Sequence, residues 1–430
     1  MRSEIGGQVK PIEEKKLSAA EIRFLVFGFL ILAAVLTAFL FANLVLSERM
    51  KGGGGIFMPW KNLRVSFGLD NGEPYSGAVA AYVQRQAYGG AARAGQNPYY
   101  FNLPYYLTLL YAPLGLIGNP SVARGLYLAL AEVALFAFTA ISLRLADWRP
   151  RRLFAILFYL FAGLGLYSLL ALYEGTPAIL LGLVYMGILF ALREEADELA
   201  GALIAVAFAY WEIGGPFLLL VLLYVAYQRR SGVLVGFAIP TFTLLAIAYL
   251  VQPGWVFSYL VGVFANWTSA FGLTPGAVFV RLWPEIGSRL GWGLTALSVL
   301  ILAFEWARAR SGDFRRFYWA ACLTLSLTPL TGLRSGLENL VVLIPAAALI
   351  FATVRERWKA GYWLTISLLT LFFAAPWILY LGGFIPAALR TDLTFLFLPA
   401  ATVIGLYWIR WWVVRPPRTW TERVTHPEYR

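Results

Sequence analysis

Residues Phe24 to Leu46 make 23 consecutive positions without a charged side chain. As a helix this run rises about 35 Å at 1.5 Å per residue, long enough for a hydrocarbon core about 30 Å thick. Eleven more hydrophobic runs follow, at about 121–143, 153–173, 176–192, 196–212, 213–228, 233–251, 290–307, 317–333, 339–354, 361–383 and 393–409. No soluble domain interrupts them. The pattern predicts an all-α polytopic membrane protein with about twelve transmembrane helices, one membrane domain over residues 1–430. Composition agrees, with 60% hydrophobic, 16% aromatic and 13% charged residues. The first run follows a polar leader and lacks a small-residue cleavage site, so it reads as a retained anchor rather than a signal peptide.

The net charge of +12 is accounted for by topology, with no nucleic acid required. With twelve spans and a cytoplasmic amino terminus, 24 of the 35 Lys and Arg residues fall in cytoplasmic segments, including "RLADWRPRR", "RARSGDFRR", "RERWK" and the basic tail at 410–430. This is the positive-inside asymmetry. It places the protein in the plasma membrane as a multi-pass chain with both termini cytoplasmic. The stretch "YYLTLLYAPLGLIG", with its internal proline, is too short to cross, and counting it as a span would put most arginines outside. Residues 47–120 therefore read as one long extracytoplasmic loop carrying interfacial helices. The pair of runs at 196–228 reads as a hairpin, which recesses Glu212 of "WEIGGP" below the outer surface. A single kinked helix is its rival.

Much chemistry is excluded. The only cysteine, Cys322, lies in a hydrophobic run, and the only histidine, His426, lies in the polar tail, so no thiolate or histidine metal site is expected. No phosphate-binding loop or dinucleotide fingerprint appears, and no cofactor is expected. "KGGGG" at 51–55 reads as a flexible linker, and "NWT" at 266–268 as a chance match to a glycosylation acceptor.

A long outer loop with an early acidic residue and a late "NPYYFNLPYYLTLLYAPL", followed by a span that begins near an arginine, resembles the GT-C superfamily of membrane glycosyltransferases. The group most similar is glycosyltransferase family 87, which includes polyprenyl-phosphate-mannose-dependent mannosyltransferases. Asn97, Pro98, Tyr99, Leu103, Pro104, Tyr105 and Pro113 carry the first match, and Gly175, Ala200, Gly201, Pro216, Arg229 and Arg230 the second. The chain departs from the family at Thr176, at Glu212 where a lysine is expected, and at "TPLTGLRSGLENL" in place of a histidine-containing segment.

The resemblance implies a GT-C-like fold and transfer of a sugar, such as mannose, from a polyprenyl-phosphate donor to a lipid, glycan or protein acceptor on the outer face. Such transfer needs a carboxylate near the acceptor hydroxyl and cations on the departing phosphate. Asp70 is the candidate base, with Glu73 as substitute. Arg334 is the leading candidate for the donor phosphate, because the planar guanidinium suits it, with Arg281 and Arg289 competing. Tyr99, Tyr105, Arg124 and Glu212 are candidates for lining the substrate cavity. Each has a structural alternative: a turn at Asp70, a pair of Arg334 with Glu338, an ion pair of Arg124 with Glu132, and interfacial anchoring by the tyrosines. The alternative function is a lipid-linked glycan flippase without bond chemistry. Such proteins commonly show symmetry between halves, which is not seen here.

Overall fold

The structure is a computed structural model and describes residues 19–414 apart from 94, 102, 209, 267–270, 311 and 384. The leader before residue 19, most of the basic tail with His426, and positions 267 and 268 of "NWT" lie outside the described residues.

Among the described residues the chain is helical throughout, and the only strand-like pairing is an isolated antiparallel bridge between Leu273 and Ser335. The first helix, α1 (Ala19–Arg49), leads into the long loop, which carries α2 (Gly54–Ser66), α3 (Gly77–Tyr88), α4 (Tyr105–Thr108) and α5 (Ala112–Gly115). There follow α6 (Pro120–Leu145), α7 (Arg152–Leu164), α8 (Leu166–Glu174), α9 (Ala178–Arg193), α10 (Asp197–Ala207), α11 (Trp211–Tyr227) and α12 (Ser231–Val251). Two short helices, α13 (Trp255–Ala265) and α14 (Pro275–Leu282), precede α15 (Gly287–Ala309) and α16 (Phe314–Leu327). A 3-10 turn at Leu337–Leu343 runs into α17 (Ile344–Arg357), and α18 (Gly361–Leu381) and α19 (Ala387–Val414) end the bundle.

Seven of these helical stretches are long and apolar enough to cross a membrane, and an eighth if α7 and α8 count as one span bent by 42°. This is fewer than the twelve runs of the sequence. The difference has a physical cause: glycine, proline and polar breaks cut several runs into helices of 17 residues or fewer. Gly165 lies at the bend between α7 and α8, and Gly175, in the left-handed region at φ 66°, ends α8. In α11 the backbone leaves helical geometry at Gly214, two residues before Pro216, whose ring clashes with a preceding carbonyl and which donates no N–H.

The short helices still run back and forth. Arg230, after α11, binds Asp197 at the start of α10 and the Leu192 carbonyl at 3.1 Å, so residues 196–228 are a hairpin and not one kinked helix. The same end gathers Asp147 with Arg193 at 3.1 Å and Arg315 at 3.5 Å, and Glu305 with Arg410 at 2.9 Å. It is termed the basic end below. Trp319 and Phe351 are buried in the core, where the Trp319 indole donates to the Leu406 carbonyl at 2.9 Å.

The opposite end is capped by residues 50–118. "YYLTLLYAPLGLIG" does not form a span there but breaks into α4, a 3-10 turn and α5. The Trp60 indole of α2 donates to the Ile117 carbonyl at 3.1 Å, and Tyr106 meets Trp255 of α13 edge-on at 6.3 Å. Between the runs at 233–251 and 290–307, the described residues thus include two short helices, α13 and α14, and Trp255 of α13 packs on the cap.

Candidate functional site at the capped end

The glycine run at 51–55 is not a flexible linker. Gly52 and Gly53 take φ angles of 91° and 79°, which favour glycine, and their N–H groups donate to the carbonyls of Ala87 at 3.0 Å and Tyr173 at 2.9 Å. Close approach rather than mobility explains the composition. A Cβ on Gly53 would stand 2.6 Å from Arg124 Nε, and one on Gly54 would stand 1.9 Å from Tyr99 Cζ.

Arg124 is therefore a buried clamp, 2% exposed, and not a cavity residue. Its guanidinium donates to the carbonyls of Met50 at 2.6 Å, Lys51 at 2.9 Å and Tyr173 at 3.1 Å, tying α6 to the end of α1 and to α8. Nor does it pair with Glu132, which accepts instead from Asn43 Nδ2 at 3.2 Å across the α1–α6 contact. Helical spacing put the two charges on one face, but the acceptor carbonyls exist only once the loop folds over α6.

Tyr99 sits beside this clamp. Its backbone is left-handed at φ 50°, a geometry that costs a non-glycine residue on the order of 1–3 kcal/mol, and its N–H donates to Asn97 Oδ1 at 2.9 Å. Its ring stacks on Tyr88 at 5.5 Å, and its hydroxyl donates to Glu174 Oε2 at 2.7 Å. Burial holds the Tyr99 phenol well above the usual range, so it stays protonated and acts as a donor. Glu174, the last residue of α8, is half-buried. It is the functional candidate that sequence reasoning missed, although an acidic residue closing an apolar run before "GTP" was its signal. Tyr99 and Arg124 are the two expected residues brought together here, one on each side of the glycine turn.

Asp70 stands in a different setting. Lys61 Nζ reaches its Oδ2 at 2.7 Å, and Arg64 forks onto it with Nε at 3.0 Å from Oδ2 and Nη2 at 3.0 Å from Oδ1. The Arg64 hydrogen bonds, with Lys61 adding to them, hold the carboxyl below its ordinary range. A carboxylate so held is a weak base, because taking a proton means giving up both cations. Glu73 is exposed in the same turn.

The remaining candidates spread over the capped end. Arg281 is committed to Asp392 of α19 at 2.5 Å, so it reads as a strut between α14 and α19 rather than a phosphate ligand. Arg289 is exposed at the start of α15. Arg334 is exposed on the loop that Ser335 ties to Leu273 through N–H···O bonds of 2.8 and 3.0 Å. Tyr105 is fully buried under α2, and Glu212 lies in the first turn of α11. Among the described residues no group of three or more His, Cys, Asp and Glu is placed to hold a metal ion. Comparison with protein-family models, curated proteins and solved structures gave no match to this chain.

Proposed function

We propose that the chain is a membrane glycosyltransferase of GT-C type that moves a sugar from a polyprenyl-phosphate donor to a hydroxyl acceptor at the capped end, with that end extracytoplasmic. The observation that carries this reading is the 2.7 Å hydrogen bond from Tyr99 to Glu174, built on a strained tyrosine and a turn that only glycine fits. Strain of that kind collects where a side chain has to be aimed. The gathering of arginines at the basic end supports the orientation, and twelve helical passes remain the topology this reading uses.

In this scheme the acceptor oxygen attacks the anomeric carbon as the bond from that carbon to the phosphate oxygen breaks. Polyprenyl phosphate departs with the bonding electrons, and the acceptor proton passes to Glu174. The phenol of Tyr99 holds one carboxylate oxygen still and leaves the other for the acceptor. Arg334 is placed on the leaving phosphate, where its charge matters most as negative charge builds. Asp70 becomes the anchor of the Lys61–Arg64 face rather than the base.

The test is single-turnover transfer from a radiolabelled polyprenyl-phosphate sugar by purified protein. Glu174→Gln is expected to slow transfer by about 10²- to 10⁴-fold, the usual worth of a positioned base, and Asp70→Asn far less. The reverse ranking returns the base to Asp70. No transfer by the folded parent, together with protein-dependent movement of the lipid across liposomes, points to the flippase.

A further inference from the structure

The stretches "RPRR" and "RERWK" meet at the basic end. Arg355, near the end of α17, holds its guanidinium carbon 5.8 Å from the ring centroid of Phe154 in α7 and 5.8 Å from that of Tyr362 in α18. The two rings meet edge-on at 5.2 Å. Their faces attract the cation and brace the planar group, but they supply no oxygen acceptor to its five N–H donors. The turn that brings Tyr362 there is tight: the Gly361 N–H donates to the Trp358 carbonyl at 2.8 Å, and a Cβ on Gly361 would stand 2.6 Å from the Arg355 carbonyl oxygen.

Arg151, three residues before Phe154 and so on the same side of the helix start, and Arg152 are both exposed. The first turn of α7 has no acidic residue and no side-chain cap, which leaves both charges at the positive end of the helix dipole, an unfavourable place for them. Other arginines of this end are matched: Arg193 and Arg315 by Asp147, Arg230 by Asp197, and Arg410 by Glu305. Among the described residues Arg151, Arg152, Arg355 and Lys359 take part in no ion pair. "RERWK" sets one acidic residue, Glu356, against three cations.

The surroundings fix the depth of this cluster. Trp358, in the same turn, lies 5.0 Å from Trp408 and 4.5 Å from Trp412 of α19, and Trp363 is 70% exposed. Tryptophan collects at the level of the lipid headgroups. From Arg152 an exposed apolar stripe, Leu153, Ile156 and Leu160, runs along α7. The cations therefore begin where the hydrocarbon ends. An acidic soluble protein would match the charge and leave the stripe unused, whereas an anionic phospholipid matches both. A zwitterionic lipid would bring its ammonium among four cations. We infer that Arg151, Arg152, Arg355 and Lys359 form a binding site for an anionic phospholipid, its phosphate on the Arg355 fork beside Arg151 and an acyl chain along Leu153, Ile156 and Leu160. The inference is independent of the sugar-transfer scheme.

The experiment uses the full chain in mixed micelles with equal amounts of phosphatidylglycerol, phosphatidylethanolamine and phosphatidylcholine of the same acyl chains. Native mass spectrometry counts the lipids each protein retains. Phosphatidylglycerol is expected to be retained about tenfold over the other two. Arg355→Gln, and separately Arg151→Gln/Arg152→Gln, should each lower that preference by about fivefold or more, the worth of basic side chains at a headgroup surface. Arg308→Gln removes an exposed charge at the same end but outside the cluster, and should leave the preference unchanged. If Arg355→Gln does not fold as the parent does, the exposed Arg151→Gln/Arg152→Gln pair decides. Equal retention of the three lipids, an equal loss in Arg308→Gln, or no loss in the deciding variant overturns the assignment. So does binding of a soluble glutamate hexapeptide in place of phosphatidylglycerol, which would make the partner an acidic protein.

Discussion

Replacing Gly54 by alanine isolates the packing that aims Tyr99 at Glu174. At the first position of an exposed helix, glycine to alanine would ordinarily stabilise by about 0.5–1 kcal/mol. Here the new methyl would stand 1.9 Å from Tyr99 Cζ and 2.4 Å from its hydroxyl oxygen. The ring cannot swing aside, because it is 4% exposed and stacked on Tyr88. Overpacking of this kind costs about 1–3 kcal/mol, and misaligning a hydrogen bond to a carboxylate costs about 1.5–3 kcal/mol more. After the alanine gain is subtracted, destabilisation of roughly 1.5–5.5 kcal/mol is expected. Unfolding by denaturing detergent in mixed micelles measures it, within a double-mutant cycle against Tyr99→Ala. With the ring gone the clash is gone, so Gly54→Ala should then be neutral or stabilising by up to about 1 kcal/mol. A neutral or stabilising effect in the parent, or the same cost in both backgrounds, refutes the packing argument.

Two further outcomes follow from ion pairs at the capped end. Because Asp70 is held below its unfolded value by Arg64 and Lys61, its contribution is complete above the unfolded carboxylate range and fades as pH falls through the folded value. The parent should therefore lose about 1–2 kcal/mol more than Asp70→Asn between about pH 5 and pH 2, read as thermal midpoints against pH; parallel curves contradict this. Arg281→Ala leaves Asp392, 1% exposed, without its cation and should cost about 3 kcal/mol, most of it recovered in Arg281→Ala/Asp392→Asn. No recovery in the double variant would mean that the Arg281 side chain acts by packing.

The membrane class, the helical architecture and the exclusion of the "YYLTLLYAPLGLIG" segment as a span were legible because they depend on local quantities: run length, proline placement and the tally of arginines. The hairpin at 196–228 was legible for the same reason. Its rival was separated only by a long-range contact, Arg230 with Asp197. Lengths erred where a run that is continuous in hydropathy is interrupted in backbone geometry, as at Gly165 and Gly214.

The candidate site was less legible, since its meaning lies in contacts between distant segments. "KGGGG" composes like a linker, yet Gly52, Gly53 and Gly54 are each required by a neighbour 35 to 121 positions away in number: Ala87, Tyr99, Arg124 or Tyr173. Arg124 looked like an intramembrane charge paired with a carboxylate along its own helix, and its two terminal nitrogens are instead taken up by three backbone carbonyls. Asp70 and Arg281 were recognised as candidate charges, but whether a charge is available or spent depends on what folds against it. Sequence by itself determined that this chain is a helical membrane protein with a polar, tyrosine-rich loop gathered at one end. Only the tertiary structure decided that Glu174 receives the phenol of Tyr99 while Asp70 is locked between Lys61 and Arg64, because hydrogen bonding and the distribution of charge are properties of neighbours in space.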